Sequence, residues 1–297
     1  MNIKSILIYS LPLLFLMSCA KPMANFTVTN PQKKAFHNVY FKNTSAGSTI
    51  YEWDFGDGTK SMEQSPTHQY FAAGSYNVTL KASKGKIKSE KQMKLEVESP
   101  DHCTVEIETS LGKMTAILYD QTPQHRDNFL KLVGQGYFDS LLFHRVINNF
   151  MIQGGDPNSR EAKSGQQLGN GGPGYTVPAE FNAALVHTKG ALAAARMSDA
   201  VNPSKSSSGS QFYIVHGRPV DERSLNQMES SKGIHYSKEV KDKYARLGGT
   251  PFLDMDYTVF GEIISGFDVL DAIAASPTNP GDRPKEDIRM KIKVVGK

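Results

Sequence analysis

The chain has 297 residues, 39% of them hydrophobic and 22% charged, with a formal net charge of +4 at pH 7. That is ordinary globular composition, and it excludes a mostly disordered, collagen-like or polytopic membrane protein. The basic surplus, 34 Lys and Arg against 30 Asp and Glu, is too small for a dedicated nucleic-acid binder, and two cysteines, Cys19 and Cys103, exclude a disulfide framework.

The chain opens with Lys4 and an apolar run from Ile6 to Leu16. Eleven residues are too few to cross a hydrocarbon core, which takes roughly 20 in a helix. The run ends in Leu16-Met17-Ser18-Cys19, which resembles the bacterial lipoprotein box. The resemblance implies a signal peptide over residues 1–18, cleavage before Cys19 and lipidation of that cysteine. Lipid chains then hold the protein at a membrane surface without a spanning helix, residues 19–23 being the lipidated linker. Ala20 after the cysteine, rather than Asp, points by the same resemblance to the outer membrane of a bacterial envelope, facing the periplasm. Cys103 is left as a lone thiol with no motif around it, and reads as an inert small residue.

From Phe26 to Val97 the pattern is β. Val39-Tyr40-Phe41, Thr49 to Trp53, Tyr76 to Leu80 and Met93 to Val97 read as strands separated by Gly, Asn, Ser and Pro. Several short strands with no helical period favour a sandwich. Trp53-Asp54-Phe55-Gly56-Asp57-Gly58 places two aromatic residues on one face before a tight Asp-Gly turn. With Pro66 to Tyr70 and Gly74 to Leu80, this stretch resembles a PKD domain, an immunoglobulin-like sandwich over residues 24–98. Such a domain serves as a spacer or as a module binding protein or glycan. The lysine-rich Lys84 to Lys91 run reads as a solvated or edge strand. A linker, residues 99–103, follows.

Beyond it, Val105 to Thr109 and Met114 to Tyr119 flank Leu111-Gly112-Lys113 as a hairpin. A helix follows, with Thr122 as its N-cap, Pro123 in the first turn and Phe129, Leu130 and Val133 on its apolar face. Strand patterns recur at Leu141 to Ile147, Phe150 to Asp156, Gly190 to Arg196, Ser210 to Val215, Tyr257 to Ile263 and Met290 to Val295, with a second short helix over Phe267 to Ala275. Many strands and only two core helices predict a closed β-barrel in a mainly β protein.

Phe143-His144-Arg145-Val146, Phe150-Met151-Ile152-Gln153-Gly154-Gly155-Asp156 and Gly209-Ser210-Gln211-Phe212, in this order, resemble a cyclophilin-type peptidyl-prolyl isomerase over residues 104–297. The resemblance implies an eight-stranded antiparallel barrel capped by two helices, and proline-containing polypeptides as substrates. Arg145 corresponds to the family's catalytic arginine, acting with Phe150 and Gln153. Phe150, Met151, Tyr213, Phe252 and Leu253 correspond to the proline pocket. Gln153, Gln211, Arg196 and the backbone at Ala195 correspond to the groove that orients the peptide, and Gly169 to a glycine of the neighbouring specificity pocket. Phe252 replaces a common Trp, Tyr257 a common His, Arg196-Met197 the usual Asn-Ala, and Tyr213 a Phe, adding a hydroxyl at the pocket floor. The X-Pro barrier is about 20 kcal/mol and arises from amide resonance. Because no bond is broken, neither cofactor, metal nor nucleophile is required.

Residues 218–250 read as an insertion, with Tyr236, Val240, Tyr244 and Leu247 at helical spacing: a surface helix beside the groove or a partner-binding element. Gly169 to Gly174 satisfies a dinucleotide-binding pattern, but Pro173 and Pro178 forbid the helix that should follow. No pair of histidines has metal-ligand spacing. Ser206 to Ser210 reads as a flexible loop feeding the Gln211 strand. The reading that results is a lipid-anchored isomerase assisting the folding of exported proteins. The rival is a chaperone that only holds proline-containing segments.

Overall fold

A computed structural model describes residues 21–29, 33–34, 38–70, 74–98, 103–163 and 165–296, so the signal peptide and Cys19 lie outside the described residues. The chain divides into two compact units.

The N-terminal unit is built from two antiparallel sheets. One joins Phe26–Val28, Asn38–Asn43 and Thr67–Gln69; the other orders Lys60–Ser61, Ile50–Asp54, Gly74–Lys84 and Ile87–Val97. Met23 already pairs with Ala46, so this unit begins within the predicted linker. Alternation along the strands sends Phe26, Phe41, Trp53, Val78 and Leu80 inward. Trp53 is fully buried, with Phe26 at 5.0 Å and Phe41 at 5.5 Å between ring centroids, and its indole N–H donates to the Glu63 carbonyl at 2.9 Å. The loop after Trp53 is locked by Asp57, which accepts from Thr59 and His68. Burial alone would raise the Asp57 pKa, but the hydrogen bonds from His68 and Thr59 outweigh it and pull the pKa to about 2. The lysine-rich run turns from the end of Gly74–Lys84 into Ile87–Val97, the edge strand of its sheet, whose first residues are exposed.

The C-terminal unit carries a nine-stranded antiparallel sheet in the order Leu141–Leu142, Arg289–Gly296, Cys103–Thr109, Gly112–Leu118, Val259–Ser265, Ala191–Ala194, Phe212–Val215, Met151–Gly154, Arg145–Ile147. The two edge strands are separated in the chain only by Phe143 and His144. One segment thus pairs with the C-terminal strand on one side and with Met151–Gly154 on the other, and the sheet curls until its edges meet. Counting that broken segment once gives the eight strands expected. Cys103 opens a strand, opposite Leu118, rather than closing the linker.

Phenylalanines fill the interior. Phe129, from the helix Pro123–Gly134, lies 4.9 Å from Phe138 and 5.3 Å from both Phe212 and Phe260. Alternation along Phe212–Val215 directs Phe212 and Ile214 to this interior and Tyr213 and Val215 to the other face. Phe267–Ala274 is the second helix of the barrel, burying Val269, Leu270 and Ile273.

The first helix starts where predicted, but the Thr122 side chain makes no cap. Instead Glu180 accepts the backbone N–H groups of Gln124 and His125 at 3.1 and 2.9 Å, placing a carboxylate at the positive end of the helix. The ring of His125 bonds Glu180 on one side and the buried Ser207 hydroxyl on the other. Ser207–Ser208 pairs with Thr176–Val177, so the serine run is a tied strand and not the flexible loop expected. The insertion holds two helices, Glu222–Lys232 and Lys238–Leu247, where the spacing predicted one. Tyr236 precedes the second helix, whose N-cap is Ser237.

Candidate active site

Register brings the site together. Arg145 lies opposite Gln153, Gln153 opposite Tyr213, and Tyr213 opposite Ala193, so these side chains share one face across four strands. On that face Met151, Ala191, Ala193, Tyr213, Val215 and Val259 form an apolar floor, with Phe150, Leu253 and Tyr257 packed against it. Above it opens a cavity of about 800 Å³. Ten of the twelve predicted groove residues line it: Arg145, Phe150, Met151, Gln153, Gly169, Ala195, Arg196, Tyr213, Leu253 and Tyr257.

A line of hydrogen bonds orders the polar side. Arg145 Nε reaches Asp282 at 3.4 Å and Nη1 reaches Gln153 Oε1 at 3.5 Å. Gln153 Nε2 donates to Gln211 Oε1 at 3.2 Å, and Gln211 Nε2 donates to the carbonyls of Gly169 and Gly171, each at 2.8 Å. Among the described residues nothing engages Arg145 Nη2, and the side chain is 42% exposed, so the guanidinium is tethered at one edge and open at the other. Asp282 has a positive φ of 68° and is held by the bond from the Val146 N–H to its carbonyl.

Buried Asp156 fixes the facing loop, accepting from the N–H groups of Asn158 and Gly169. Gly169 itself has φ +104°, which an L side chain rarely adopts. Gly155 follows from contact: a Cβ there would stand 2.2 Å from the Ser210 carbonyl.

Three expectations are corrected. Phe252 does not line the cavity. In the short turn Pro251–Leu253, Leu253 points inward while Phe252 is 46% exposed and stacks on Phe150 at 5.7 Å. The backbone of Ala195 is already used, its N–H by Gln211 and its carbonyl by Ser208, whereas that of Arg196 has no partner among the described residues. The Arg196 side chain is buried and taken up by its neighbours. It lies over the Tyr257 ring at 4.5 Å and donates to the Asp256 and Met197 carbonyls and to Asp199. Gln211 lines a neighbouring cavity of about 550 Å³, which shares Gln153, Gly169, Ala195 and Arg196 with the first and is rimmed by exposed Met197 and Val201. The Tyr257 hydroxyl bonds no described residue and remains open to a ligand.

His144, part of the Phe143 to Val146 motif but given no role there, also lines the main cavity. Burial pushes its pKa down to about 4, against the attraction of Asp156 and with added repulsion from Arg145. As pH falls below about 6.5 the unfolded chain takes up a proton that the folded protein refuses until about 4. Stability should therefore decline across that window, by up to about 3 kcal/mol, and level off below it. Melting temperatures of the wild type and His144→Gln between pH 7 and pH 4 test this; equally steep losses in both would contradict it.

An antiparallel sheet curled on a phenylalanine interior thus carries, on its outer face, an arginine beside an apolar slot. The family profile described as cyclophilin type peptidyl-prolyl cis-trans isomerase/CLD matches residues 104–295, and a PKD domain profile matches residues 19–98. A Staphylococcus saprophyticus protein assigned as a peptidyl-prolyl cis-trans isomerase is 37% identical over 192 residues, 63% of this chain and 89% of its own length. One from Staphylococcus aureus (strain USA300), assigned likewise, is 36% identical over 185 residues, 62% of this chain and 87% of its own. A Streptococcus pyogenes serotype M6 protein assigned as a bifunctional phosphatase/peptidyl-prolyl cis-trans isomerase is 37% identical over 197 residues, 65% of this chain but only 39% of that protein. A solved cyclophilin type isomerase of Cryptosporidium parvum superposes with a TM-score of 0.48 at 25% identity, covering 66% of this chain and 99% of its own. The chain belongs to the cyclophilin-type peptidyl-prolyl cis-trans isomerases, with a PKD domain ahead of the isomerase domain.

Proposed function

We propose that Arg145 is the group that lowers the barrier to X-Pro rotation, and that the enzyme does so at a bacterial envelope membrane on exported polypeptides. The observation that carries the first part is the open guanidinium edge beside an apolar slot. A prolyl ring in the slot, against Met151, Tyr213 and Leu253, leaves the preceding carbonyl toward Arg145. Twisting the amide localises charge on that carbonyl oxygen and a lone pair on the proline nitrogen. A guanidinium donor that bonds better to the twisted amide than to either planar isomer accelerates rotation in both directions. Gln153 holds Arg145, and Gln211 holds Gln153. The free backbone of Arg196 pairs with the peptide on the other side.

The second part rests on the Leu16 to Cys19 box. In this reading lipid on Cys19 anchors the chain, in the outer membrane facing the periplasm, and the PKD domain spaces the enzyme from the surface or docks a protein or glycan. Cys19→Ala should leave the precursor uncleaved and free of lipid label, and should move it out of the detergent phase on phase separation. Equal lipid labelling and equal partition of the mutant would contradict the anchor.

A further inference from the structure

The insertion is a closed excursion from the barrel. Its ends meet where the Gly249 N–H donates to the Arg218 carbonyl at 2.8 Å, and its helices and the turn between them bury Leu225, Tyr236, Val240 and Tyr244 around Val186. Beside Val186 stands His187, fully buried, and here the insertion reaches the floor of the proline pocket.

Asp254 is the junction. It follows Leu253 of the pocket wall and is 2% exposed. Its Oδ2 accepts from the hydroxyls of Tyr236 and Tyr244 at 2.7 and 2.6 Å. Its Oδ1 accepts from the backbone N–H of His187 at 2.9 Å and from the ring Nδ1 at 2.7 Å. The other ring nitrogen, Nε2, lies 2.9 Å from the Tyr213 hydroxyl, within hydrogen-bond distance. The hydroxyl that distinguishes Tyr213 from a phenylalanine is therefore spent beneath the pocket, and the floor presented to proline stays apolar. A third contact holds the loop from its outer side. Lys232, in the last turn of the first insertion helix, donates to the carbonyls of Phe252 and Asp254 at 2.7 Å each and to the Asp256 carboxylate at 2.5 Å.

We propose that the insertion is a positioning element for the proline pocket: Tyr236, Tyr244 and Lys232 clamp the loop that carries Leu253, and Asp254 and His187 pass that constraint to Tyr213. This rests on the isomerase reading above. The clamped wall touches the prolyl ring, whose shape is nearly the same in both planar isomers and in the twisted state. Loosening it weakens ground-state and transition-state binding alike, which raises KM and leaves kcat in place.

The test is the full-length double variant Tyr236→Phe/Tyr244→Phe, which keeps both rings and removes both donors. KM for a proline peptide should rise about tenfold with kcat within about twofold of wild type. Amide exchange at Leu253 and Asp254, whose N–H groups bond the Thr250 and Pro251 carbonyls, should quicken more than exchange in the barrel strands. Apparent kcat falling at constant KM would mean that the tyrosines only maintain the folded fraction, and would overturn the proposal. So would unchanged KM with unchanged exchange. If the double variant does not fold, Lys232→Met removes the outer contacts alone and should raise KM about threefold with the same local exchange; unaltered KM there overturns the proposal. Wild-type protein without activity would instead refute the isomerase reading, and the exchange data would still decide whether the clamp exists.

Discussion

Arg145→Ala is expected to lower kcat for X-Pro isomerisation by on the order of a hundredfold while leaving peptide affinity nearly unchanged, because a charged donor favouring the transition state is worth about 3 kcal/mol. The side chain lies at the edge of the cavity, tethered by long contacts to Asp282 and Gln153, and it forms no part of the apolar floor. Its removal therefore spares the fold. Arg145→Lys should recover little, since an ammonium cannot both hold the Gln153 side and present a second donor in a fixed plane. A protease-coupled assay gives kcat and KM for each variant; an alanine variant within about threefold of wild type in kcat would remove Arg145 from the mechanism.

Trp53→Ala is expected to unfold the N-terminal unit and leave the isomerase domain active. Trp53 is the largest fully buried side chain of the sandwich, contacts Phe26 and Phe41, and bonds the Glu63 carbonyl through its indole nitrogen. Truncating such a residue costs about 3–5 kcal/mol, comparable with the whole stability of a small domain. Because Trp53 is the single tryptophan of the chain, its fluorescence in the wild type reports denaturation of this unit alone, and the NMR dispersion of the sandwich strands reports it in the variant. Turnover of a short proline peptide should be unchanged. A severalfold loss of turnover would mean that the sandwich supports the active site.

Local patterns make much of this legible in the sequence. The period of two along Met151-Ile152-Gln153 puts Met151 and Gln153 on one face, and the register sets them opposite Ile147 and Arg145. The helix at Pro123–Gly134 was readable from its proline and apolar face, but its cap was not. The capping carboxylate, Glu180, lies 55 residues from His125, and no local pattern encodes that distance. The same holds for Asp254 and His187, 67 residues apart, and for Asp282 and Arg145, 137 apart. The helix Glu222–Lys232 escaped for a different reason. It buries only Leu225, so hydrophobic periodicity is silent, although Asp221 bonding the Ser224 N–H and Gly233 in the left-handed conformation mark both its ends. Phe252 was misplaced because its neighbours fix the motif while the direction of its side chain depends on the turn Pro251–Leu253.

A groove that turns an X-Pro bond over differs measurably from one that merely holds one isomer. Exchange NMR on a proline peptide, with the full-length protein at a small fraction of the peptide concentration, tests the difference most directly. Cross peaks between cis and trans resonances should grow with protein concentration and vanish for Arg145→Ala, while line broadening from binding persists in both. Binding that shifts one isomer's resonances with no cis–trans exchange in the wild type would contradict the account and identify a protein that only holds its proline segments.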